Sequence, residues 1–278
     1  MRTLGLLLLA ALLSSCTQLF FHPHSFLIDT PERHGVEYQI ENFRAADGIS
    51  LNAWFLPAKS KNGGKAIATV LFLHGNAENI STHFRSIAWL AAEGFNVLAL
   101  DYRGYGASEG TPSLAGMQLD IDAAMRSLLA HKDVDPNRIA VFGQSLGGAL
   151  AIHYAAHSAY RANIRAVVID SAFADYRRIT QEKLAGFFLT WPVQWLPWLT
   201  VDDDYSPVAS VAALSPLPLL LIHGDADVVI PLHHSQQLFE RAREPKELWV
   251  VPGAGHTQSL GSETVRKKLI EFLLRYTA

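Results

Sequence analysis

Arg138-Ile139-Ala140-Val141-Phe142-Gly143-Gln144-Ser145-Leu146-Gly147-Gly148-Ala149-Leu150-Ala151-Ile152 is the stretch on which the fold turns. Its first five residues form a largely apolar run of strand character, and helical character persists from Ser145 to His157, so a strand passes straight into a helix at Gly-x-Ser-x-Gly. A strand-to-helix turn this sharp holds the serine in strained dihedrals, and side chains at Gly143 or Gly147 would strike neighbouring backbone. The turn lifts the hydroxyl above a sheet, while the helix aims its positive N-terminal dipole at the same place. Five residues of this pattern occur often by chance; framed by an apolar strand and a helix they are specific.

On either side, short apolar runs alternate with longer segments of helical period, the pattern of a mostly parallel sheet covered by helices. Eight strands are expected: Val36 to Ile40, Ser50 to Phe55, Ala68 to Leu73, Asn96 to Leu100, Arg138 to Phe142, Ala166 to Ile169, Pro218 to Ile222 and Glu247 to Val251. The middle ones are almost wholly apolar, as strands buried on both faces must be, whereas the first two, joined near Asp47-Gly48, alternate and read as an antiparallel edge. Helices are expected over Asn79 to Ala92, Leu114 to His131, Ser145 to His157, His234 to Arg243 and Glu263 to Tyr276. The span between Ile169 and Pro218 is longer than one crossover helix needs, so an insertion of about residues 173–214 is expected there. It holds Phe187-Phe188-Leu189-Thr190-Trp191-Pro192-Val193-Gln194-Trp195-Leu196-Pro197-Trp198, which reads as a lid over an apolar pocket, as the insertion's own small core, or as a contact with a membrane interface.

The chain has 278 residues, 49% hydrophobic and 18% charged, with 23 basic against 26 acidic side chains. That is the balance of a globular protein, and a net charge of −3 without a basic block argues against a nucleic-acid partner. The single cysteine, Cys16, excludes an intrachain disulfide and any cysteine-based metal site. Met1-Arg2 precedes an uncharged, leucine-rich run from Leu4 to Leu13, about half of what a bilayer core requires, so residues 1–15 read as a signal peptide. Leu13-Ser14-Ser15-Cys16 resembles the lipobox of bacterial lipoproteins. That resemblance implies cleavage before Cys16, lipid on the cysteine, and a place in the cell envelope, on the outer membrane where two membranes are present. Residues 16–35 show no sustained period and read as a tether, leaving 36–278 as the domain.

A serine hydroxyl needs a histidine to take its proton and a carboxylate to hold that histidine. Downstream, His223-Gly224-Asp225-Ala226-Asp227 follows one expected strand and Pro252-Gly253-Ala254-Gly255-His256-Thr257 the last, each where sites assemble in open α/β sheets. Competing chemistries are weaker. His153 and His157 lie four apart on a helix without a glutamate after the first, His233-His234 reads as a helix start, and no dinucleotide or phosphate-loop motif is present, so neither metal nor cofactor is expected.

The chain resembles the α/β-hydrolase superfamily over nearly all of 36–278, and within it the Bem46-like serine hydrolases with the mammalian ABHD12, ABHD13 and ABHD17 groups. Four motifs carry the likeness: Leu73-His74-Gly75-Asn76-Ala77-Glu78-Asn79, Asp101-Tyr102-Arg103-Gly104-Tyr105-Gly106, the elbow around Ser145, and the Gly-x-x-Asp-x-x-x-Pro run from Gly224. The resemblance implies an α/β-hydrolase fold, a triad of Ser145, Asp227 and His256 with Asp170 in reserve as the acid, and an oxyanion hole from the backbone N–H groups of Leu146 and Asn76, with Ala77 as alternative second donor. The expected activity is cleavage of carboxylic esters or thioesters of apolar small-molecule or lipid acyl substrates through an acyl-enzyme. A serine peptidase or amidase is the enzymatic alternative, and an inactive binding lipoprotein the non-enzymatic one.

Overall fold

The computed structural model describes residues 21–59 and 65–278; the expected signal peptide and Cys16 lie outside them. Among the described residues ten strands run in chain order: β1 (His22–Pro23), β2 (Gln39–Arg44), β3 (Ser50–Leu56), β4 (Thr69–Leu73), β5 (Ala77–Glu78), β6 (Asn96–Asp101), β7 (Ile139–Gln144), β8 (Ile164–Asp170), β9 (Leu219–Gly224) and β10 (Lys246–Val251). Eight of them form one sheet in the order β10-β9-β8-β7-β4-β6-β3-β2. All neighbours from β10 to β6 are parallel; β3 alone runs against them, pairing antiparallel with both β6 and β2. The antiparallel edge is present, but its first strand lies at Gln39–Arg44 and not at the expected Val36 to Ile40.

Strand periodicity divides the core in two, because successive side chains point to opposite faces. Leu71, Leu73, Val141, Val167, Ile169 and Leu221 face one side, against helices α1 (Leu114–Ala130), α2 (Leu146–His157) and the buried Leu238 of a later helix. Val70, Phe72, Phe142, Val168, Leu220 and Ile222 face the other, against Ile80, Phe84, Leu90 and the C-terminal helix. This is an α/β-hydrolase fold with helices on both faces.

The expected helix from Asn79 to Ala92 is broken into Ile80–His83, a 3-10 turn over Phe84–Ser86, and Trp89–Ala92. Hydroxyl side chains compete with the ladder here: Thr82 Oγ1 donates to Asn79 O and Ser86 Oγ to His83 O, which a continuous helix would need for its own N–H groups. The insertion between β8 and β9 opens with a helix the periodicity did not pick out, α3 (Tyr176–Ala185), capped by the Asp175 carboxylate on the Arg178 N–H. Short turns follow at Trp191–Val193, Pro197–Thr200 and Pro207–Ser210. Helices α4 (His233–Arg241) and α5 (Glu263–Thr277) complete the body.

Residues 21–35 are packed, although they carry little regular structure. β1 adds in parallel to β5, Phe21 is buried in the core, and Asn79 Nδ2 donates to the carbonyls of His24 and Phe26 at 2.9 and 2.8 Å. Arg85 Nε donates to Asp29 at 2.9 Å. These anchors come from separate side chains, so no sequence period announces them.

Candidate active site

Ser145 sits between β7 and α2 at φ 53°, ψ −115°, in the positive-φ region where a non-glycine residue is strained. The crowding around it explains the glycines. A Cβ on Gly143 would lie 2.2 Å from Gly147 O, and one on Gly147 would lie 2.0 Å from Leu73 O. The strained residue is held by its own N–H, which donates to Asp170 O at 2.9 Å.

His256 reaches Ser145 from the loop after β10: His256 Nε2 is 3.0 Å from Ser145 Oγ and His256 Nδ1 is 2.8 Å from Asp227 Oδ2. A carboxylate can only accept, so Nδ1 carries the proton and Nε2 is left to accept from the serine. Asp227 Oδ1 accepts the N–H groups of Val229 and Ile230, both at 2.8 Å. Burial alone would push the Asp227 carboxyl up; contacts from His223, His256 and the Ile230 N–H outweigh it and hold the group well below the usual carboxylate range. It is therefore an anion at neutral pH.

Asp170, the alternative acid, lies at the end of β8, fully buried, accepting from Gln144 Nε2 at 3.0 Å and Ser171 Oγ at 3.2 Å. Burial pushes its carboxyl up. His256 bonds Asp227 instead. Asp225 accepts the Gly253 N–H at 2.6 Å, joining the acid loop to the histidine loop.

Opposite Ser145, the loop after β4 contributes Gly75, Asn76 and Ala77 to the wall. Leu146 opens α2, so its N–H has no preceding helical turn to donate to. His74 is fully buried and donates from Nδ1 to Gly75 O at 2.7 Å, so it shapes this loop from behind. Several supports were invisible in the sequence. The Asn76 side-chain oxygen accepts from Tyr105 OH at 2.9 Å and from the His22 N–H at 3.2 Å, and His83 Nε2 donates to Ala77 O at 2.9 Å. Burial, helped by neighbouring His74, lowers His83 to about 4, so it is a neutral donor. His223 Nδ1 meets Ser235 Oγ and its Nε2 donates to Ile230 O, both at 2.7 Å, which fixes the acid loop. Asn76 and Tyr105 stand in two of the motifs that carry the likeness and His223 stands directly before the acid motif, but none of these hydrogen bonds can be read from the motifs.

A cavity of about 710 Å³ opens above the serine. Its far wall comes from the insertion: Phe173, Ile179, Leu184, Leu196, Pro197 and Val201. Among the described residues lining it, Lys183 is charged and none is a carboxylate.

Glu182, His233 and His234 place their ligand atoms within 4.8 Å of one another, the one such group among the described residues. The tautomer works against a metal there. The Ala174 N–H donates to His234 Nδ1 at 3.2 Å, so the ring proton resides on Nε2 and points to Glu182 Oε2 at 3.1 Å. A metal on Nε2 would force a proton onto Nδ1, against the Ala174 N–H. The group instead straps α3 to α4. His153 and His157 stack at 4.5 Å, and His153 Nδ1 meets Ser210 Oγ, which is helix packing.

A family profile described as serine aminopeptidase, S33, matches residues 64–213. The chain is 39% identical over 235 residues to the YfhR protein of Escherichia coli K12, covering 84% of this chain and 79% of that one. It is 30% identical over 267 residues to the α/β hydrolase domain-containing protein WAV2 of Arabidopsis thaliana, covering 89% and 82%. Among solved structures, an esterase of Pyrococcus furiosus, Pf2001, superposes with a TM-score of 0.75 at 25% identity, covering 93% of this chain and 99% of that one.

Proposed function

The chain belongs to the serine aminopeptidase S33 family of α/β hydrolases, and on that premise we propose that it is a serine hydrolase cleaving ester or thioester bonds of apolar acyl substrates. The observation that carries this reading is the relay from Ser145 Oγ to His256 Nε2 at 3.0 Å and from His256 Nδ1 to Asp227 at 2.8 Å, at the floor of an apolar cavity.

In this mechanism His256 Nε2 takes the Ser145 proton as the oxygen attacks the acyl carbonyl, and Asp227 stabilises the imidazolium. The oxyanion forms beside the N–H groups of Leu146 and Asn76, each such donor typically contributing ~3 kcal/mol in the transition state. Collapse expels the alcohol or thiol, which leaves with the proton from His256. Water, deprotonated by the same nitrogen, attacks the acyl-enzyme; the acid departs and Ser145 regains its proton.

The cavity argues for an acyl substrate over a peptide N-terminus. An aminopeptidase must hold a cationic α-amino group out of bulk water, which calls for a paired carboxylate. The described lining supplies none, and its one charged side chain, Lys183, would repel that group.

We further propose that Cys16 is a lipidated N-terminus holding the domain to the cell envelope, the reading supported by Leu13-Ser14-Ser15-Cys16. Treating the full chain with a fluorophosphonate and locating the modified peptide by mass spectrometry tests the mechanism: labelling at Ser145 that His256→Ala abolishes is expected. An unlabelled, folded protein would sink the proposal.

A further inference from the structure

The cap exposes a hydrophobic surface that the triad chemistry does not use. Phe187, Phe188, Leu189, Trp191, Trp195 and Trp198 are all more than half exposed, up to 77% at Phe188 and 66% at Leu189. Between Lys183 and Asp202 the chain carries no charged side chain at all. An apolar patch of this size on a globular protein marks a contact surface.

The backbone underneath is unlike that of a solvent loop. The N–H groups of Thr190, Trp191, Val193, Gln194, Leu196 and Trp198 through Val201 all donate to carbonyls within the cap, and Pro192 and Pro197 have none to satisfy. Two of the exposed indoles are also served internally: Trp195 Nε1 donates to Pro192 O at 3.2 Å and Trp198 Nε1 to Gln181 at 2.8 Å. A segment can leave water only when its polar groups are paired in this way. Phe187, Phe188, Leu189 and Trp195 have N–H groups that donate to no carbonyl among the described residues, so the segment suits the hydrated interface that tryptophan favours and not the hydrocarbon core.

The position of the chain's beginning says what lies against this surface. His22 lines the same cavity as Leu196 and Pro197, so the first described residues and the cap share one rim. Cys16 lies five residues before Phe21, a reach of at most ~18 Å. A bilayer that holds Cys16 therefore passes close to the cap.

We propose that the cap, from Phe187 to Trp198, docks into the lipid interface of the membrane that anchors the chain, so that the cavity mouth opens onto the bilayer and acyl esters enter from it. The substrate route rests on the hydrolase reading above; the docking itself rests on the lipid anchor proposed at Cys16 instead. Because attraction comes from apolar and aromatic groups, docking is insensitive to salt.

The test uses the full chain bound to phosphatidylcholine vesicles whose acyl chains carry bromine at shallow or deep positions, with tryptophan emission as the readout. Three of the six tryptophans are in the cap, and fully buried Trp54 serves as an interior reference. Shallow bromine should quench emission more than deep bromine, equally at 0.1 and ~1 M salt. Phe187→Ser/Phe188→Ser/Leu189→Ser, which retains every tryptophan, should lose at least about half of that quenching. Phe188→Asp serves as a milder second variant. Unquenched emission, whether or not the chain sediments with the vesicles, overturns the proposal, as does quenching unchanged in both variants. A dimer in vesicle-free solution that Phe188→Asp dissolves would also overturn it, by assigning the patch to a second copy. Fluorophosphonate labelling on the same samples separates the two readings: labelled but unquenched protein defeats docking alone, and quenched but unlabelled protein defeats the hydrolase reading and the substrate route with it, leaving the docking.

Discussion

Around Ser145 a displaced atom has nowhere to go: Gly147 has a carbonyl 2.0 Å from where its Cβ would stand, and the serine is anchored through its N–H to β8. The cap, further along the chain, is held differently. α3 is pinned by buried Tyr176 and Ile179 and by the Glu182 contacts to α4, after which the chain turns outward and exposes its rings. The nucleophile is fixed by backbone packing, which tolerates almost no substitution; the cap is fixed by a few side chains, which leaves its outer residues free to vary. The candidate site and the cap thus belong to parts of the molecule with different tolerance to change.

The sharpest way to break this contrast is to disturb the rigid half without touching its shape. Asp227→Asn keeps the size of the side chain and removes the charge that holds His256 in its tautomer; ester kcat should fall ~10⁴-fold while the melting temperature barely moves. A loss under tenfold, measured on a short water-soluble ester, would mean that another group orients His256.

The joint between the halves should be the acid-sensitive point. Burial lowers His234 to about 4 despite the Glu182 carboxylate, against an ordinary 6.5. Between those values the unfolded chain takes a proton that the folded one refuses, so stability is full above pH 6.5 and declines as the pH falls towards 4, by up to about 3 kcal/mol for this residue. His83 adds in the same direction. Denaturant midpoints measured from pH 7 to 4.5 should fall steeply in the native chain and less steeply in His234→Gln; equal slopes would place the sensitivity elsewhere.

A smaller effect is expected at the N-terminal strap. Asn79→Ala removes both donors to the carbonyls of His24 and Phe26 and the cap on the Ser81 N–H, a cost of about 2 kcal/mol. The loop that follows β4 would lose its lateral support, so kcat for the short ester should drop along with the denaturation midpoint. An unchanged kcat would separate the strap from the site. Least of all, Phe188→Ser should shift stability by no more than about 0.5 kcal/mol in water, because the ring packs on little. A larger change by thermal denaturation would make the cap a core in its own right.

How much of this was readable beforehand follows the same division. The sheet, its antiparallel edge and the three residues that meet at the cavity floor lie at strand ends whose apolar runs and turn residues mark them locally. The break in the expected helix after Asn79 did not show, because Thr82 and Ser86 act through hydrogen bonds that periodicity does not register. α3 stayed hidden because it is amphipathic over barely three turns and is followed by prolines. The packing of residues 21–35 could not be seen either: it depends on Asn79, Arg85 and the Gly106 N–H, which donates to His24 O, each supplied from 50 or more residues downstream.

The strap between β1 and β5 also fixes how the molecule can be handled. Its N-terminal end lies at the cavity, where His22 joins Leu196 and Pro197 in the lining. A chain held to a bead or sensor chip at this strap therefore turns its opening towards the support.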